Sequence, residues 1–151
     1  MTRLYYDDDS EPWQENLYAG ALRSAIRGKR GQQLLRDLIA GLDALPSPEL
    51  TAGALENEST GGCCALGAVR RLRGADAVPL SFDPIEEDVT PDDLAEPFNI
   101  ATILAWSIVQ VNEDIDNKND ERSRRRRWQR VKDWAVKHLI VKSTHLSTDK
   151  S

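Results

Sequence analysis

Residues 31–46 read GQQLLRDLIAGLDALP, and their spacing decides the fold class. Leu34, Leu35, Leu38, Ile39, Leu42 and Leu45 recur at the three- and four-residue steps of an α-helix and line one side of it. Pro46 and Pro48 end that helix, because proline has no N–H to donate and its ring clashes with the preceding turn. Upstream, Gly28-Lys29-Arg30-Gly31 reads as a short basic turn. Before it, Trp13, Leu17, Ala21 and Ala25 recur every four residues, widened by Leu22 and Ile26. This is an amphipathic helix opening at Pro12 and ending near Gly28. Two helices joined so briefly are expected to pack as a hairpin.

Downstream the reading is less uniform. Leu50 to Glu56 fits a short strand or a helical turn equally well, and Asn57 to Gly62 is a loop by composition. Two arrangements stay open for residues 63–74. Cys63 to Leu66 can pair with Leu50 to Leu55 as a second strand. Alternatively, Ala65 to Leu72 is a small helix with Leu66, Val69 and Leu72 on one face and Gly74 as its cap. Ala75 to Pro91 is a proline-containing connector pinned by Phe82 and Ile85. Thr90 then caps a short helix ending by Phe98, with Pro91 in its first position and Asp92 and Asp93 at its positive end.

Asn99 is read as the cap of a strongly apolar helix. Ile100, Ile103, Leu104, Ile108, Val111 and Ile115 share one side, with Trp106 and Val109 flanking. Apolar character around most of its circumference predicts the central buried helix. A last helix spans about 121–141, burying Trp128, Val131, Trp134, Ala135 and Leu139, with Lys137, His138 and Lys142 at its negative end. The expected fold is therefore mainly α. It is a compact bundle of about five helices over residues 12–142, with an optional β-hairpin around residues 50–66. A flexible acidic arm (1–11) and a polar tail (143–151) flank it.

Composition agrees: 40% of the 151 residues are hydrophobic and 30% charged, enough apolar material for a core. The longest apolar stretch, Ile100 to Val111, falls short of the roughly 20 residues that cross a bilayer. The N-terminus has no apolar signal core, so no membrane and no export are expected. Cys63 and Cys64 are adjacent, which strains a bridge between them. They read as small buried side chains in a reducing, cytoplasmic protein.

No catalytic constellation is legible. The only histidines, His138 and His145, lie near the C-terminal end and in no motif. The acidic run from Asn112 fails as a calcium loop, with Lys118 at its seventh position and Ser123 at its twelfth. Gly28 to Gly31 follows a helix and is too short for a phosphate loop. Trp13, Trp106, Trp128 and Trp134 fall on helical stripes, which core packing explains. No metal, no cofactor and no enzymatic activity are expected.

What stands out is charge. The net charge of −5 is segregated into acidic clusters (residues 7–11, 83–96 and 113–121) and basic ones (23–36, 70–73 and 122–132). Arg27, Lys29 and Arg30 form one candidate contact for phosphate or for a carboxylate-rich surface. Arg122, Arg124, Arg125, Arg126, Arg127 and Arg130 form a second, facing nucleic-acid backbone or an acidic protein. Successive helical residues point about 100° apart, so these arginines cannot make one flat patch. Their alternative role is pairing with the acidic loop and connector. Glu86, Glu87, Asp88, Asp114 and Asp116 form a candidate acidic surface for a cationic partner.

Several stretches carry a resemblance: SAIRGKRGQ (24–32), LRDL (35–38), LDALP (42–46), CALGAV (64–69), FNIA (98–101) and RWQRV (127–131). Together they resemble a family of small uncharacterised proteins of tailed bacteriophages and prophages, over most of residues 13–139. The chain departs from that pattern at Cys63 and in its arginine run. The resemblance implies a phage origin and expression inside a bacterial host cell, and names no activity. The expectation is a non-catalytic binding protein that inhibits or modulates a host protein or ribonucleoprotein complex, as an anti-CRISPR or other anti-defence factor does. The alternatives are a nucleic-acid accessory protein using its Arg-rich surfaces and a small enzyme whose site is not legible in the sequence; self-association as a homodimer also stays open.

Overall fold

The structure, a computed structural model, describes residues 12–113 and 118–141. The arm at 1–11, Asp114, Ile115, Asp116 and the tail at 143–151 lie outside the described residues. The architecture is mainly helical. Among the described residues there are six α-helices: α1 (Pro12–Arg27), α2 (Lys29–Ala44), α3 (Ala65–Arg73), α4 (Pro91–Phe98), α5 (Thr102–Glu113) and α6 (Glu121–His138). One 3-10 turn, Ala75–Ala77, follows α3.

The stripe of α2 forms the centre of the core. Leu34, Leu35, Leu38 and Leu42 are fully buried, with Ile39 and Leu45 half-buried beside them. They pack against α3 on one side and α6 on the other. The α2–α3 crossing is close because residue 41 is glycine: a Cβ there would sit 2.7 Å from the carbonyl oxygen of Ala68. Along α6 the chain runs antiparallel to α2. Gln32, near the start of α2, donates to the carbonyl of His138 (3.2 Å) and accepts from the amide of Ile140 (2.8 Å). Trp128 donates to the carbonyl of Leu42 near the other end of α2 (3.1 Å), and Lys132 meets Asp43 at 2.6 Å.

The expected N-terminal hairpin is instead a corner. Lys29, Arg30 and Gly31 belong to α2, and Gly28 alone separates the two helices, in extended conformation. The two Cα steps from Arg27 to Lys29 span at most about 7 Å, whereas side-by-side helices need 8–10 Å between axes. Among the described side chains of α1, which leave out Trp13, Ile26 alone is buried, and Leu17, placed on the predicted stripe, is 63% exposed.

Of the two arrangements open for residues 63–74 the helix is the one found, while Leu50 to Glu56 is neither strand nor helical turn. Ala65–Arg73 is helical, with Leu66 and Val69 buried, although Leu72 is exposed. The optional hairpin is reduced to one isolated antiparallel bridge, Glu56 to Cys63. Gly74 takes a positive φ of 100° at the end of α3, a conformation open to glycine. Cys63 and Cys64 are both buried and unbridged.

Thr90 caps α4 as the sequence predicts, with the Asp93 carboxylate accepting from the Thr90 amide at 3.2 Å. Asn99 does not start α5. It ends α4 in the left-handed conformation (φ 59°), its amide donating to the carbonyls of Ala95 and Glu96. α5 begins at Thr102 and is bent by 115° from α4. Asparagine tolerates this region because its short amide can hydrogen-bond locally. α5 buries Leu104, Ala105, Ile108 and Asn112, while Ile103, Trp106, Val109 and Val111 are half-buried, so it covers the core on one side and is not buried all round. α6 ends at His138, before the predicted Val141. No single helix among the described residues is long and apolar enough to cross a membrane.

Candidate functional site

The candidate basic surfaces come first. Arg27, Lys29 and Arg30 are exposed at the Gly28 corner, and Arg30 donates to the side-chain oxygen of Asn99 (3.3 Å). The arginines of α6 lie at its opposite end. Because α2 and α6 run antiparallel, Arg30 and Arg126 are separated by about 20 Å of helix. The two basic groups are not brought together.

Within the run, half of the arginines turn inward. Arg127 is 3% exposed and donates to the carbonyls of Leu50 (2.9 Å) and Lys118 (3.0 Å). Arg124 donates to the carbonyl of Asn119 and pairs with Glu49 (2.9 Å). Arg130 donates to the carbonyl of Val111 (3.2 Å). Arg125 pairs with Glu121 (3.0 Å) and Glu49 (3.6 Å). Arg122 and Arg126 are exposed. The expected contact surface of six arginines is thus corrected for Arg124, Arg127 and Arg130, which the fold uses internally. Among the described residues, Glu121 is the member of the expected acidic loop and connector that appears in these pairs.

The physical reason is the irregular segment 50–64. A non-helical chain inside a protein cannot satisfy its own N–H and C=O groups. Here α5, α6 and the residues just before α6 supply the missing partners. Asn112 donates to the carbonyl of Thr51 (3.1 Å) and accepts from the amide of Ala65 (2.9 Å). Asn119 accepts from the amide of Ala52 (2.8 Å), and Glu113 from that of Gly53 (3.1 Å). Within the segment, Thr51 donates to Cys63 (2.9 Å) and Cys64 to Leu55 (3.2 Å).

The acidic surface has a different character. Between Arg73 and Lys118 the sequence holds eleven carboxylates and no Lys, Arg or His. The rest of the chain carries fourteen acids against all twenty Lys and Arg. Asp83, Glu86, Glu87, Asp88, Asp92, Asp93 and Glu96 are all exposed, and among the described residues none of them forms an ion pair. Asp92 accepts from the indole N–H of Trp106 (3.1 Å), which ties α4 to α5. Asp114 and Asp116 fall outside the described residues.

Beside this acidic stretch lies a small cavity of about 40 Å³. Leu66, Leu94 and Ile108 form its buried floor, half-buried Phe82, Val89 and Val109 its walls, and Glu86, Glu87 and Glu113 its rim. A second cleft of about 140 Å³ lies between Leu45 and Gly62, lined by Arg71 and Arg124. Both guanidiniums there are already held, Arg71 by Glu56 at 2.6 Å and Arg124 by Glu49. The hydrogen bond to Glu56 holds the Arg71 pKa above its ordinary value.

The two thiols are not poised for chemistry. Burial pushes Cys63 up to about 12, helped by its neighbour Cys64, and pushes Cys64 up to about 11. A protonated thiol is a poor nucleophile and a poor metal ligand. No group of three His, Cys, Asp or Glu among the described residues could hold a metal ion.

The segment's backbone partners escape a reading of the sequence, although a signal is present. Ser123, Arg127, Val131 and Ala135 lie four residues apart, and all are buried. Leu104, Ile108 and Asn112 do the same on α5. In each case a polar residue continues an apolar stripe. Compared with protein-family models, with curated proteins and with solved structures, the chain shows no match.

Proposed function

We propose that this chain is a phage-encoded, non-catalytic binding protein that inhibits or modulates a host macromolecular complex, and that it docks through the acidic surface of residues 83–96. The observation that carries the reading is the run of exposed carboxylates with no cation near it in sequence and no ion pair among the described residues. Such a surface attracts cationic protein, speeds encounter, and repels other anions. Nucleic-acid-binding proteins of a host defence complex offer cationic surfaces of this kind. Direct binding of nucleic acid is supported less, since Arg124, Arg127 and Arg130 serve the fold and the other candidate cations, Arg27, Lys29 and Arg30 at the corner and Arg122, Arg125 and Arg126 on α6, lie in two separate groups.

The test compares the wild-type chain with Glu86→Gln/Glu87→Gln/Asp88→Asn/Glu96→Gln as bait in bacterial lysate at low salt and at about 0.5 M salt, where the screening length falls to a few ångströms. Wild type should retain a discrete cationic host protein at low salt, and the neutralised variant should lose it. Equal capture by both proteins would overturn the acidic-surface reading. A mobility shift of DNA or RNA that weakens steeply with salt would favour the accessory role instead.

A further inference from the structure

We infer that the cavity floored by Leu66, Leu94 and Ile108 is the anchor socket of that acidic surface, taking one aliphatic side chain from a Lys- or Arg-flanked segment of the partner. The inference rests on the acidic-surface reading above. Its first support is size. About 40 Å³ fits the tip of a side chain and falls far below the 300–1,000 Å³ of small-molecule pockets. The second is the gradient of burial: the floor is fully buried, the walls Phe82 and Val89 are half-buried, and the rim residues Glu86 and Glu87 are exposed. The cavity therefore opens to solvent through an apolar wall and an anionic collar.

The third support is charge. No cationic residue lines the cavity, and three carboxylates stand at it. An aliphatic group flanked by acids would meet like charge at the rim, which is destabilising. One flanked by Lys or Arg would seat its apolar part and pair its charges at the same time. A desolvated anchor ringed by a polar rim is the arrangement in which interface energy concentrates.

The probe is acetyl-Lys-Arg-Leu-Arg-Lys-amide, titrated into the full chain and followed by backbone amide shifts in NMR. Counterparts carry Ser in place of Leu, or Glu in place of all four cations. The Leu peptide should move the amides of Leu66, Leu94 and Ile108. The Ser peptide should bind about tenfold more weakly, the value of burying roughly two methyl groups at the tip of a leucine. The Glu peptide should not bind. Ala54→Leu, which fills the cavity from within, should bring the Leu peptide down to the affinity of the Ser peptide. Should that variant fold poorly, Val89→Trp plugs the half-buried wall and should do the same. Equal affinity of the Leu and Ser peptides would overturn the socket while leaving the acidic surface standing, provided Glu86→Gln/Glu87→Gln weakens both. Failure of both peptides to bind would also overturn the socket, and the lysate comparison then decides the acidic surface independently.

Discussion

The guanidinium of Arg127 donates to the carbonyl oxygen of Leu50 at 2.9 Å, across 77 positions of sequence. A cation from the densest basic run is thereby buried against main chain that has no helix or sheet of its own. Arg127→Ala should cost about 3 kcal/mol, because it leaves the buried carbonyl of Leu50 and the part-buried one of Lys118 without this donor. Arg127→Lys should recover only part of this, since one ammonium lacks the planar fork that reaches both. Arg122→Ala, at an exposed position of the same helix, should stay within about 0.5 kcal/mol of wild type. Urea unfolding of the three variants checks the order.

Asn112 uses both ends of its amide, donating to Thr51 and accepting from Ala65. Asn112→Asp keeps the acceptor and removes the donor, and places a buried charge near Glu113, whose carboxylate is 3.2 Å from the Asn112 amide nitrogen. The variant should lose about 2 kcal/mol at neutral pH. Protonation restores a donor, so the loss relative to wild type should shrink as pH falls through the carboxylate range. A variant as stable as wild type at pH 7 would show that Thr51 does not depend on this bond.

Two helical glycines should respond with opposite signs. Gly41→Ala drives a Cβ against the Ala68 carbonyl and should destabilise by about 1–3 kcal/mol despite the better helix propensity of alanine. At Gly20 the nearest outside atom is the flexible end of Arg23 at 3.9 Å. Gly20→Ala should therefore stabilise by up to about 1 kcal/mol. Thermal melts of the pair separate close packing from propensity.

The buried thiols predict an alkaline limit. Both pKa values are raised in the fold, from 9.0 to about 12 and about 11. Above pH 9 the unfolded chain releases these protons while the native chain keeps them. Stability should be unaffected below that point and should fall as pH rises from 9 toward 11, by at most about 1.4 kcal/mol per unit for each thiol. Cys63→Ala/Cys64→Ala should flatten that decline in denaturant midpoints measured across the range. An equal decline in both proteins would assign it to other groups.

The helices whose residues speak for themselves were readable. The leucines of α2 share one side whatever surrounds them, and Thr90-Pro91-Asp92-Asp93 carries its own cap. What escaped was decided by distant chain. Arg127 reads as one more solvated charge until Leu50 is known to lie beside it in irregular backbone. Asn99 reads from the sequence as the start of α5, and the left-handed turn there, with the chain bent by 115°, makes it the end of α4 instead. Leu17 follows a helical stripe correctly, but a stripe does not say which of its residues reach the core, and here Leu22, Ala25 and Ile26 do while Leu17 stays exposed.

The dependence of residues 50–64 on α5 and α6 has a consequence for the order of events during synthesis. Thr51 and Ala52 emerge from the ribosome 61 and 67 residues before Asn112 and Asn119, their partners. If the first three helices collapsed on their own, they would trap those peptide groups in an apolar interior with nothing to bond. The N-terminal half is therefore poorly suited to mature as an independent cotranslational unit. A chain ending after α3 is expected to stay loosely packed, and the core to close only once α6 is present.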